Sequence, residues 1–146
     1  MAITTSGVYW VNMEKAMIGT LPTSYESTSA AYWGVTDATT STDANFDAVE
    51  FRNNAAITEG TNMTADPLVT PTIALATPLT NQMNHNFADP QWTSITTTVM
   101  GGIVTSGDAT DSLDEVYYLQ DFVTAATTSS GTLDVAIHAD GALVWS

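Results

Sequence analysis

Trp92–Val104, WTSITTTVMGGIV, is the stretch from which the fold is read. Trp92, Ser94 and Thr96 alternate with Thr93, Ile95, Thr97 and Val99. Successive side chains of an extended chain take opposite faces, and β-branched residues favour a pleated, half-buried surface. The segment therefore reads as one long strand. Its Gly101-Gly102 pair predicts a bulge, or another group lying close against the backbone. Further short strands are predicted on either side. These are Ala30–Val35, Thr72–Ala76 after the strand-breaking Pro71, and Glu115–Val123. Asn81–Pro90 reads as a strand or packed loop anchored by Met83 and Phe87. Leu133, Val135 and Ile137 alternate with Thr132, Asp134, Ala136 and His138, then Asp140-Gly141 leads into Ala142–Trp145. That pattern predicts a terminal hairpin.

Between these strands, Thr36–Asn45, Thr105–Ser112 and Thr124–Ser130 are polar and read as loops, and Asn53–Asp66 as an exposed connection. Near the N-terminus Met13, Met17 and Ile18 recur at helical spacing, with Gly19 as the stop. The expected fold is all-β, a β-sandwich or jelly-roll-like arrangement with a short helix near the N-terminus, in one domain over 1–146.

Composition supports this and narrows function. The chain has 26 Thr and 11 Ser, so its polar surface is largely neutral hydroxyl. It has 16 Asp plus Glu against two bases, Lys15 and Arg52, for a net charge of -14. Charged residues make up only 12% of the chain, so it is acidic because bases are missing. Nucleic-acid binding and polybasic membrane contact are excluded, since both need clustered Lys and Arg. The start, MAITTSGVYW, does not read as a secretory signal, and no apolar run approaches a membrane span. Cysteine is absent, and with it disulfides and thiolate metal sites.

Chemistry is sparse. No nucleophile elbow, P-loop or dinucleotide fingerprint occurs. His138 and Asp140 flank the expected turn, and His85 stands among Asn84 and Asn86, where hydrogen bonding in a loop is its expected role. The chain reads as a non-enzyme that needs no cofactor. Asp108, Asp111, Asp114 and Glu115 cluster in GDATDSLDE, which is suitable material for a divalent cation such as Ca2+, although the spacing is not that of an EF-hand. Solvated loop carboxylates are the alternative. A second acidic stretch, Asp37–Asp47, is more widely spaced.

The aromatics suggest an interface. Tyr9-Trp10, Tyr32-Trp33 and Tyr117-Tyr118 are adjacent pairs, so a strand would show one ring on each face. One ring enters the core and the other meets a loop, ligand or second chain. Tyr9, Trp10, Tyr32, Trp33, Trp92 and Trp145 are the candidate interface residues.

The second half resembles the small virion proteins of tailed bacteriophages. The likeness lies in Thr-rich strands, polar loops and a terminal hairpin ending in an aromatic. Here these are Trp92–Val104, Asp108–Ser112, Val116–Phe122, Thr127–Gly131 and Thr132–Trp145, with AYWGV resembling that group more loosely. The resemblance is one of texture and carries no catalytic residue. It implies a head decoration (cement) or minor head protein, made in the host cytoplasm and placed on the outer capsid surface of the virion. Its partners would be the major capsid protein and copies of itself, in a trimer. The net charge agrees with an outward position, because packaged DNA would repel it. A tail, connector or fibre-base component is one alternative, and a carbohydrate-binding β-sandwich module using exposed Trp rings is another.

Two bases cannot neutralise 16 acids. Stability is therefore expected to rise with salt as self-repulsion is screened. A melting temperature unchanged between low and high salt would contradict this.

Overall fold

A computed structural model describes residues 7–38, 49–54, 57–75, 83–137 and 143–145. The chain is all-β and sandwich-like, with one short helix near its N-terminus. Strand β1 (Gly7–Val8) leads into helix α1 (Trp10–Ile18). Then follow β2 (Ala31–Ala38), β3 (Ile57–Glu59), β4 (Asp66–Pro67), β5 (Thr72–Leu75) and β6 (Met83–Asn86). Two long strands, β7 (Gln91–Thr105) and β8 (Val116–Asp134), precede β9 (Leu143–Trp145). One sheet has the order β1-β8-β7-β2-β3, with β4 also pairing β2, and the other has the order β5-β6-β9. The pairs are antiparallel.

The expected long strand is β7, and its partner β8 is longer still. Thr124–Ser130, expected to be a loop, is continuous strand. Thr97, Thr98 and Val99 face Thr128, Thr127 and Ala126 across the ladder, and the Thr98 and Thr127 hydroxyls bond at 3.0 Å. Polarity suggested a loop, but threonine's branched Cβ suits a strand whose side chains face water. Asn53–Asp66 is likewise not merely an exposed connection. It contains β3 and buries Met63, whose thioether sits against Gly34 and Gly60.

The simple alternation expected along β7 is reset by an irregularity. Three residue steps from Trp92 to Ile95 match two on β8, from Leu133 to Gly131. Ser94 takes up the difference with a φ of 57°. Trp92 therefore shares the buried face with Ile95, Thr97 and Val99, while Ser94, Thr96 and Thr98 are exposed. Other extra residues lie in β8, one of them near its start. Val104 pairs Tyr118 and Thr105 pairs Val116, which leaves Tyr117 bulged. Tyr117 and Tyr118 both enter the main core, whereas Val116 and Leu119 enter a second cluster. The two rings do not divide between faces as expected.

Of the two expectations for Gly101-Gly102, the close approach is seen, while the extra residues of the nearby register shift lie in β8. The register shifts between Val99 and Gly101, and the Tyr32 phenol lies against Gly102, where a Cβ would come within 1.8 Å of its oxygen. Gly19 stops α1 in the left-handed conformation, with φ 72°. The expected terminal hairpin does not form among the described residues. Leu133 and Asp134 pair with β7, and β9 pairs with β6. The Asp140-Gly141 turn and His138 lie outside the described residues.

The main core packs Tyr32, Trp92, Val99, Val104, Tyr117, Tyr118 and Leu133 of the larger sheet with Phe87, which follows β6, and against Ile73 of β5. His85 is at its polar centre, on β6 rather than in a loop. Its Nε2–H donates to the Tyr25 carbonyl at 2.8 Å, and its Nδ1 accepts from the Tyr118 hydroxyl at 3.0 Å. These roles are those of the neutral ring, the form that burial favours. Burial pushes the His85 pKa down to about 4, against weaker raising effects from the Tyr25 hydrogen bond and the Glu26 charge. In the unfolded chain the ring takes up a proton near pH 6.5. The stability that His85 contributes is therefore complete above pH 6.5, declines as pH falls, and is gone below about 4. Urea unfolding of the wild type should lose about 3 kcal/mol between pH 6.5 and 4 relative to His85→Gln. Parallel pH profiles for the two proteins would contradict the assignment.

Candidate functional site

The acidic loop 106–115 joins β7 to β8, and both bases of the chain lie against it. Arg52 is buried, and each nitrogen of its guanidinium meets a different carboxylate. Nε donates to Asp114 Oδ2 at 2.7 Å, Nη1 to Glu59 Oε1 at 2.6 Å and Nη2 to Asp111 Oδ1 at 2.6 Å. The guanidinium carbon lies 4.0 Å from the centroid of the Trp33 ring, a cation–π contact out of water. Burial works to lower the Arg52 pKa, but hydrogen bonds and charge from Glu59 and Asp114 outweigh it and raise the pKa.

Asp114 is fully buried and its acceptor capacity is well used. Besides Arg52, it accepts from Ser106 Oγ at 3.0 Å, Gly107 N at 2.8 Å and Asp108 N at 3.1 Å. Gly107 has φ 78°, and a Cβ there would meet the Ser29 carbonyl at 1.7 Å, so the loop's tight return needs glycine. The chain around Arg52 is tied to the same loop through its backbone. Arg52 N donates to Asp114 O at 2.9 Å, and Val116 N donates to Glu50 O at 2.9 Å. Lys15, from the last turn of α1, reaches the next residue of the loop. Its Nζ donates to both Glu115 oxygens, at 2.8 and 2.6 Å. Asn12 anchors the same helix by donating to the Val116 carbonyl at 2.7 Å.

The four carboxylates considered for Ca2+ are thus close in the fold but turned to different tasks. Asp114 and Asp111 hold Arg52, Glu115 holds Lys15, and Asp108 accepts from Thr110 N at 2.8 Å in a local turn. Among the described residues, no group of three or more His, Asp or Glu is arranged to hold a metal ion. Most of the second acidic stretch, Asp37–Asp47, lies outside the described residues.

Four of the aromatics considered for an interface are buried within the chain: Tyr9, Tyr32, Trp33 and Trp92. The physical reason is a second apolar cluster on the opposite face of β2 and β7. It takes in Tyr9, Trp33, Val35, Ile103, Val116 and Leu119, so a ring directed away from the main core still finds apolar neighbours. Trp10 alone of these six is shown exposed, at 60%. Trp145 belongs to β9, and its side chain lies outside the described residues.

Sequence reasoning missed the Arg52 hub and the parts played by Glu59 and Ser106. The available signal was that a chain with two bases will place them where carboxylates must be buried. It also missed the exposure of Met17 and Ile18, because helical spacing alone does not say which apolar positions face inward.

Compared with known proteins, the chain matches no family model, no curated protein and no solved structure.

Removing Arg52 leaves Asp114 buried without its charge partner. Arg52→Met should cost about 3–5 kcal/mol in urea unfolding. Lys15→Met, which breaks a single pair whose lysine keeps 23% exposure, should cost less, about 1–2 kcal/mol. Equal losses from the two variants would contradict the hub assignment.

Proposed function

We propose that this chain is a structural virion protein that decorates and stabilises the outer capsid of a tailed phage through protein–protein contacts. The observation behind this reading is the use already made of its chemically capable side chains. His85 is held neutral between Tyr118 and Tyr25, and Asp114, Asp111 and Glu59 are held on Arg52. Glu115 is held on Lys15, and Ser106 is held on Asp114. The long β7–β8 ladder offers solvent a row of neutral hydroxyls instead, among them Thr93, Thr96, Thr98, Thr127 and Thr132. Such a surface suits contact rather than chemistry. The net charge of -14 favours a position away from packaged DNA.

The carbohydrate-binding alternative is weakened because Trp33 and Trp92, two of its candidate stacking rings, are buried. Adding the protein to bare phage heads should raise their thermal stability, with the protein sedimenting with the heads. Heads that neither bind it nor gain stability would overturn the reading.

A further inference from the structure

Helix α1 has an inner side that holds it and an outer side that is exposed among the described residues. On the inner side Asn12 bonds Val116, Lys15 bonds Glu115, and Met13 and Ala16 pack against the main core. On the outer side Trp10 is 60% exposed, Met17 85% and Ile18 65%. Positions 10, 14, 17 and 18 follow the spacing of a single helical stripe, the pattern by which helices seat in a partner's groove. An open cleft of about 270 Å³ adjoins the end of the helix, lined by Ala16, Gly19, Leu21, Ser24, Tyr25 and Ile73. Met17 and Ile18 lie between two of its lining residues in sequence. The cleft opens next to the C-terminal end of the helix, where Met17 and Ile18 are exposed.

Charge indicates what covers it. Lys15, the helix's only base, is turned inward onto Glu115, and Arg52 is buried in its own carboxylates. The charge left on the outer stripe is Glu14, which is exposed. A second copy docking here would bring another Glu14 and another net charge of -14. We propose that the outer face of α1, with Trp10, Glu14, Met17 and Ile18 beside the cleft, docks on a different protein. That partner would present apolar side chains next to a Lys or Arg. The inference rests on the proposed structural role only in requiring a partner protein.

The test uses short amphipathic peptides, one of Leu and Lys and a matched one of Leu and Glu, titrated calorimetrically into the full chain at physiological salt. The Leu–Lys peptide should bind the wild type and the Leu–Glu peptide should not. The Trp10→Ser/Met17→Ser/Ile18→Ser variant keeps the charge and the inner side of the helix. It should bind the Leu–Lys peptide at least about tenfold more weakly, with its circular dichroism and melting temperature retained. Glu14→Lys, which keeps the apolar stripe, should shift preference toward the Leu–Glu peptide. Equal binding by the triple variant would show diffuse charge attraction and overturn the proposal, as would absence of Leu–Lys binding. A wild-type dimer in sedimentation that the triple variant abolishes would assign the face to a second copy and also overturn it. Heads that bind the triple variant and the wild type alike would remove this face while leaving the structural role. Heads that bind neither would remove the role.

Discussion

A buried guanidinium organises this protein. Arg52 joins the 49–54 segment to β3 through Glu59, to the acidic loop through Asp111 and Asp114, and to β2 through the ring of Trp33. Taking such a charge out of water is unfavourable by several kcal/mol, and only well-placed partners offset it. The planar fork of arginine allows three carboxylates to be met at once, which a lysine ammonium in the same place would not do with the same geometry. Asp114 completes the arrangement from the other side, accepting from two backbone N–H groups and Ser106 as well as from Arg52. The loop joining the two longest strands is therefore fixed by polar bonds, where its composition offers little apolar material to bury.

Much of the β framework was legible because its signals are local. The Trp92–Val104 strand follows from a local alternation, and the close approach at Gly102, the stop at Gly19 and the strand after Pro71 each follow from one residue type in one place. What could not be read depends on distant partners. The extra residues at Ser94 and Tyr117 reset which side chains face inward, and only the opposing strand reveals them. Thr124–Ser130 belongs to β8 because Thr97, Thr98 and Val99 lie across from it. Leu133 and Leu143 flank a good turn sequence, yet pair with β7 and β6.

The candidate site was legible in part. The cluster from Asp108 to Glu115 is visible in the sequence as a local run of acids, but its pairing with Arg52 and Lys15 is not. Arg52 and Asp114 are far apart in sequence and carry no shared motif. Adjacent aromatics divide between two faces only in a regular strand. The second apolar cluster fills the opposite face of β2 and β7, and the bulge at Tyr117 removes one pair from the pattern altogether. Both bases are turned inward, so the described surface shows carboxylates, hydroxyls and a few exposed apolar groups, among them the stripe on α1.

The account depends most on Arg52 and Asp114 acting as one unit. The direct measurement is a double-mutant cycle by urea unfolding with Arg52→Met, Asp114→Asn and the two combined. The account predicts a coupling energy of about 2–3 kcal/mol, with the double variant much less destabilised than the sum of the singles. Additivity within about 0.5 kcal/mol would contradict it.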